Sequence, residues 1–405
     1  MTITCATYPL MHLLILAIVA MLIQQTAATT AKVGLPALFP ALASDLSFNA
    51  ELVLVYTWFF ALVSLVFMAC CGGIIQRFGA LRTSQLGCVS MALGLILAAF
   101  AHQTLLLIPI FAITVLLISS GTTVATPASS QILAEYAPRK WAPLVFSIKQ
   151  TGVPAGVVIS GLILVPLAVS FGWRITLIGT ALLCILISVI LQPLREEFDK
   201  KRDPRAVPRL GDFITNIKDV IKLSERRGMA IAAFSFVGLQ SIYTNFTITY
   251  LYEDLSFSLE EAGQVLGLAT FLAIPARILW GWVGSTLMQP RQLLAFLALV
   301  MAISTILMGA FDEEWSHAAV LTVNCAISLS VLSWHGVLLS EAARLAPAGE
   351  AGRITGGILA FGALGQIVFP ALFGLGYWTG GYSLAFTMIS VPAALVSVTF
   401  FLWKR

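Results

Sequence analysis

The chain has 405 residues, of which 59% are hydrophobic and only 10% charged, with a formal net charge of +4. Soluble globular domains carry roughly a quarter charged residues, so this composition excludes one and places the protein in a bilayer. The 23 Lys and Arg are spread over short segments and are not gathered with aromatics into a basic module, which excludes a nucleic-acid partner.

Apolar stretches follow one another at 9–39, 51–72, 84–101, 105–133, 143–168 and 174–192, then at 229–251, 260–283, 292–311, 317–340, 354–376 and 382–403. Most reach the ~20 residues that a helix needs to cross ~30 Å of hydrocarbon. None keeps a strict period-2 alternation, and only helices or closed barrels satisfy backbone polar groups in lipid. The predicted fold class is therefore all-α integral membrane, with twelve transmembrane helices. Between 194 and 228 the composition turns to Arg, Lys, Glu, Asp and Pro, which marks a linker. Within it Phe213, Ile214, Ile217, Val220 and Ile221 fall at helical spacing, predicting an amphipathic surface helix. The expected organisation is a six-helix bundle over 1–193, the linker over 194–228 and a second six-helix bundle over 229–405.

The second bundle repeats the first. Asp45-Leu46-Ser47-Phe48 recurs as Asp254-Leu255-Ser256-Phe257, a step of 209 residues from 45 to 254. The same step carries Glu51 to Glu260, Gly72 to Gly281, Arg82 to Arg291, Pro138 to Pro347, Gly156 to Gly365 and Gly172 to Gly381. A parallel duplication in so apolar a chain is the pattern of a two-halved membrane transporter. With the N-terminus inside, all of the 23 Lys and Arg except Lys32, Lys149, Arg174 and Arg277 fall in cytoplasmic segments, so both termini are expected to be cytoplasmic. Cys5, Cys70, Cys71, Cys88, Cys184 and Cys325 lack metal-ligand spacing and read as packing residues; no metal and no cofactor is implied. The start of the chain lacks a basic leader region, so the first apolar stretch reads as a retained helix.

The loop Gly72-Gly-Ile-Ile-Gln76-Arg77-Phe-Gly79-Ala-Leu-Arg82 resembles the hallmark loop of the major facilitator superfamily, Gly-x-x-x-Asp-Arg-x-Gly followed by basic residues. The acid is missing: Gln76 stands in its place, and the second copy, Gly281 to Arg291, has Ser285 there. The resemblance covers essentially the whole chain through the six-plus-six split and the charged central loop. It implies a transporter rather than an enzyme, a gating role for Gly72, Gln76, Arg77, Gly79, Arg82, Gly281, Ser285 and Arg291, and a latch weakened or rebuilt from neutral hydrogen bonds. It also implies a bacterial inner-membrane protein, embedded in lipid and monomeric. Gly152-x-Pro154-x-Gly156 only partly resembles the Gly-Pro motif of the superfamily's drug antiporters.

The resemblance further implies a central cavity lined chiefly by helices one, four, seven and ten. Ionisable groups inside a bilayer are functional candidates by default. Arg277, Lys149 and Lys32 are the candidate substrate-binding cations, and the anion carriers of this superfamily resemble the chain in placing an Arg in helix eight. Snorkelling or bracing is the alternative for each, with Glu135 a partner for Lys149. Gln25, Thr126, Gln240, Tyr243, Asn324 and Trp334 are neutral substrate-binding candidates, against a role as interhelical hydrogen-bond glue. His335, near the middle of helix ten, is the candidate for proton coupling. No Asp or Glu lies near a helix centre, so an anion is the natural partner for the buried cations. The sequence thus predicts a proton-coupled symporter of a small anion, a carboxylate favoured, working by alternating access. An exporter of amphipathic compounds and a non-transport sensor or assembly partner stay open as alternatives.

Overall fold

The computed structural model describes residues 7–47, 52–102, 107–207, 212–255, 257–312 and 314–402. Phe48, Glu51, Ser256, Lys404 and Arg405, used in the repeat and charge patterns, lie outside them. Among the described residues, eleven continuous helices are long and apolar enough to cross a membrane. In chain order these are α1 (Met11–Ala37), α2 (Val55–Phe78), α3 (Ala80–Ala99), α4 (Leu107–Tyr136), α5 (Ala142–Phe171), α6 (Trp173–Phe198), α7 (Ser224–Tyr252), α8 (Glu260–Thr286), α9 (Pro290–Met308), α10 (His317–Arg344) and a final stretch, Ala351–Leu402. That stretch has 52 residues, which at 1.5 Å per residue is far too long for one crossing. Its ladder breaks at Gly380 and at Gly381, whose φ of 69° suits glycine, leaving α11 (351–379) and α12 (382–402). The described residues therefore make twelve passes and contain no strand.

Two compact units are formed. The first comprises Met1–Pro138, Lys149–Lys218 and Ala346–Gly357; the second comprises Arg139–Ile148, Asp219–Leu345 and Ile358–Arg405. Each thus includes the opening turns of a helix whose remainder lies in the other unit: α5 for the second, α11 for the first. The linker forms a helix over Asp212–Lys222. Its Asn216 is buried and donates through Nδ2 to the carbonyls of Ala69 and Arg353, both at 3.0 Å.

In the first unit α5 lies directly on α1. A Cβ on Gly152 would come within 2.8 Å of Leu22 O, and one on Gly156 within 2.6 Å of Thr29 Cβ. Small residues let helices approach where lipid supplies no hydrophobic drive for association. Farther along α5, Pro166 lacks an N–H and its ring crowds the Leu162 carbonyl, and the helix widens to a π turn over Ser160–Leu164. Ser160 Oγ donates to Gly156 O at 2.8 Å in this stretch. Large apolar side chains such as Leu162 and Val169 face outward on α5, as lipid contact requires.

In the second unit Ser258 and Glu261 form a reciprocal capping box at the start of α8. The fold departs from the expected continuous tenth helix: α10 is interrupted after Val331 and resumes at His335, giving α10a (His317–Val331) and α10b (His335–Arg344). No Gly or Pro stands at 329–334 to account for this. The cause is tertiary. Trp280 of α8 donates its indole N–H to Leu329 O at 2.7 Å, the carbonyl that Ser333 N–H would take in a regular helix. Ser333 N–H turns to Ser330 O at 3.2 Å, and Ser333 Oγ donates sideways to Ala273 O at 3.2 Å.

Gly156→Leu should force α1 and α5 apart and lower stability by about 1–3 kcal/mol. Gly161→Leu, on a residue whose Cβ would meet nothing within 4 Å, should leave it near wild type. Melting temperatures of the two purified variants in detergent check this, and equal values would remove the close-packing account.

Candidate functional site

In each unit a deeply buried cation, Lys149 in the first and Arg277 in the second, follows a line of small residues. In the first, the contact of Gly152 and Gly156 with α1 brings Lys149, 1% exposed, against Gln25. The ammonium donates to Gln25 Oε1 at 2.6 Å and to Gln150 Oε1 at 3.4 Å. Thr126 of α4 donates to the same Gln25 oxygen at 3.2 Å, so three helices meet on one amide. The adjoining Gln24 is wholly buried, and among the described residues its side-chain amide has no partner. Glu135, expected as a partner for Lys149, holds Lys201 at 2.8 Å. Lys32 is exposed on α1, with its ammonium 5.1 Å from the centre of the Phe60 ring.

In the second unit, Ala269, Ala273, Arg277 and Gly281 share one face of α8 at four-residue steps. That face meets α10, since Ser328 Oγ donates to Ala269 O at 2.6 Å and Ser333 Oγ to Ala273 O at 3.2 Å. Arg277, 3% exposed, is the next residue along it, about 6 Å beyond Ala273. Gly281, one turn farther, packs on Ser147 of α5, whose Oγ a Cβ there would meet at 2.6 Å. Ser147 also lies over Gly336 in the first turn of α10b. Trp334 is fully buried at the interruption, stacked on His335 at 3.8 Å between ring centres and edge-on to Phe236 at 5.4 Å. Tyr243 and Asn324 come together, the phenol donating to Asn324 O at 3.2 Å. Gln240 Oε1 and Asn324 Oδ1 are buried without a partner among the described residues.

The sequence model of the Major Facilitator Superfamily matches residues 13–370. The chain belongs to that superfamily. Its members are transporters of small molecules, so the protein is an integral membrane transporter and not an enzyme. A probable nitrate/nitrite transporter of Mycobacterium tuberculosis, NarK2, is 30% identical over 162 residues, 39% of this chain and 40% of that protein. The match thus spans well under half the length of this relative. Among solved structures, the human organic anion transporter MFSD10 (TETRAN) is similar with a TM-score of 0.75 at 14% identity, covering 97% of this chain and 99% of that one. A bacterial homologue of the iron transporter ferroportin gives 0.78 at 12%, covering 96% and 99%, and the transporter FucP gives 0.74 at 15%, covering 97% and 100%. At these identities the likeness is one of fold.

The superfamily loop is built differently in its two copies. In the first, Gln76 replaces the usual acid, yet a carboxylate is present: Asp199, from the end of α6, accepts Leu81 N–H at 2.8 Å and Arg82 N–H at 2.9 Å at the N-terminus of α3. Gly79, at φ 94°, makes room for it, since a Cβ there would sit 2.2 Å from Asp199. Burial pushes the Asp199 carboxyl above its usual range, against the pull of the two N–H donors and of Arg195 and Arg202. Gln76 serves through its backbone, accepting Asp203 N–H at 2.8 Å. Gly72 packs on the stem of Arg353, Arg77 lies over Phe78 at 5.4 Å, and Arg82 donates to Gln85 at 3.3 Å. In the second copy the substitute is neutral: Ser285 Oγ accepts Leu144 N–H at 3.2 Å and donates to Gly281 O at 2.8 Å. Arg291 lies 5.5 Å from the Phe400 ring.

Sequence reasoning did not single out Asp199, Asn216, Trp280 or Gln131, whose Oε1 accepts Gly352 N–H at 2.9 Å. Asn216 carried a signal, as a polar residue within an apolar helical stripe. Asp199 carried none, being one acid among several in a charged linker.

Asp199→Ala should leave two N–H groups of α3 without an acceptor and cost about 1–2 kcal/mol. Gln76→Ala, which keeps the backbone acceptor, should cost much less. Thermal melting in detergent separates them; equal losses would return the capping role to position 76.

Proposed function

We propose that this transporter carries a small anion, a carboxylate or an inorganic oxyanion such as nitrate, with Arg277 as the residue that meets its charge. The observation that carries the reading is Arg277 itself, buried on the α8 face that abuts the interruption of α10. A guanidinium presents a planar fork matched to carboxylate or nitrate oxygens and keeps its charge at any physiological pH. Desolvating that charge is costly, and an anion arriving in the site offsets the cost. The partial similarity to a probable nitrate/nitrite transporter supports the same substrate class. Lys149, held by the neutral amides of Gln25 and Gln150, is the second candidate cation, and its proton-rich head is a further attraction for an anion.

His335, stacked on Trp334 beside the same interruption, is the group through which a proton would accompany the anion. Gln240, Tyr243 and Asn324 supply neutral hydrogen-bonding groups to the site. The protein would work by alternating access as a monomer in a bacterial inner membrane, with both termini in the cytoplasm.

Purified protein should melt at a higher temperature with nitrate or a short monocarboxylate than with a neutral solute. Arg277→Gln should weaken that apparent affinity about 10- to 100-fold, the worth of a charge-assisted hydrogen bond, with unchanged membrane abundance. Arg277→Lys, which keeps charge but not the fork, should fall between. Anion-dependent stabilisation that survives intact in Arg277→Gln would assign this arginine a structural role.

A further inference from the structure

We infer that Asn216 of the linker helix is a gate residue: it clips the opening turns of α11 to α2, and the transporter opens on the cytoplasmic side only when that clip releases. This rests on the alternating-access reading above and not on the choice of substrate. α11 runs unbroken from 351 to 379, yet its opening turns, through Gly357, belong to the first compact unit and the rest, from Ile358, to the second. A continuous helix shared by two units that move against each other gives up one of its two attachments. The shorter end is the one that lets go, and what holds it sets how readily it does so.

That end is held by close packing and by two side-chain amides. A Cβ on Gly356 would strike Met68 O and lie 2.6 Å from Cys71 Sγ, and one on Gly352 would lie 2.8 Å from Pro127 O. The backbone of α11 therefore starts directly against α2 and α4. Gln131 of α4 accepts Gly352 N–H through Oε1 at 2.9 Å. The buried Asn216 amide uses both of its N–H groups at once, on Ala69 O of α2 and on Arg353 O of α11. The opening turns of α5 are the counterpart, since Ser147 and Gly356 stand one repeat apart, a step of 209 residues from 147 to 356. Ser147 packs on Gly281 and Gly336 within the second unit, and there the polar tie is the Ser285 hydroxyl on Leu144 N–H at 3.2 Å.

The amide suits a clip that has to open. Its Oδ1 is buried and has no partner among the described residues, so the closed arrangement carries an unmet acceptor that offsets part of what the two donated bonds contribute. Both accepting carbonyls lie within helices, where the ladder supplies each with another donor when the amide leaves. Opening therefore strands no backbone group, and water reaching the amide would satisfy its oxygen.

Cys71, wholly buried against Gly356, is a reporter already in place. Full-length protein carrying Cys70→Ala is exposed to N-ethylmaleimide in detergent, and peptide mass spectrometry follows the modification of Cys71 and of Cys88, a wholly buried residue of α3 in the same unit. Asn216→Ala is expected to speed Cys71 labelling about tenfold while Cys88 keeps its wild-type rate. Gly356→Ala, which forces the end of α11 off α2 by its added methyl, is the comparison. Faster Cys71 labelling in Gly356→Ala but not in Asn216→Ala would overturn the clip and leave the release of α11 standing; acceleration in neither would overturn both. Equal acceleration of Cys71 and Cys88 in Asn216→Ala would also overturn the clip, as a general loosening of the unit. If Asn216→Ala does not fold, Asn216→Leu, which keeps the bulk and removes both donors, takes its place with the same expected and overturning rates.

Discussion

Every backbone N–H and C=O inside a bilayer must find its partner within the protein, because hydrocarbon offers none. Twelve helical passes are the response to that constraint, and the places where the helical ladder is relaxed are where other groups have had to step in. In α5 the relaxation has a local cause, Pro166, and a local remedy, a π turn with Ser160 bonded back to Gly156 O. In α10 the cause comes from another helix: the Trp280 indole takes Leu329 O and Ser333 bonds to Ala273 O, so the ladder is surrendered to α8.

The two buried cations are treated unequally. Lys149 is tied into a network of neutral amides that joins α1, α4 and α5, so its charge is spread over acceptors with no formal charge of their own. Arg277 shares its face of α8 with Ala269, Ala273 and Gly281, small residues that let α10 and the start of α5 approach. A lysine so anchored suits a role in holding helices together as well as a role in binding.

The duplicated loops show how one requirement is met with different chemistry. A helix N-terminus favours negative charge, and in the first copy Asp199 supplies it from the end of α6, across 118 residues of chain from Leu81. In the second copy Ser285 makes two neutral hydrogen bonds instead. Loss of the acid at Gln76 therefore does not leave the first loop without a carboxylate; it relocates the charge to a residue that Gly79 was already shaped to admit.

The sequence by itself determined the membrane setting, the twelve passes and the duplication, because apolar run length and a constant repeat step are properties of one dimension; the family came from the resemblance of the Gly72–Arg82 loop to that superfamily's hallmark loop. It also singled out Arg277, Lys149 and His335, since charge within an apolar run is conspicuous without any structure. The partners of those residues were decided only in three dimensions. Glu135 is close enough in sequence to suggest a bond to Lys149, but it holds Lys201, and the lysine finds Gln25, 124 residues away. The interruption of α10 carries no Gly or Pro at 329–334 to announce it, because a tryptophan and the Ala273 carbonyl on α8 provide the competing hydrogen bonds. Asp199 and Ser147 are ordinary residues in the chain and become distinctive only through the glycines that fold against them, since close approach depends on what is absent from a neighbouring helix.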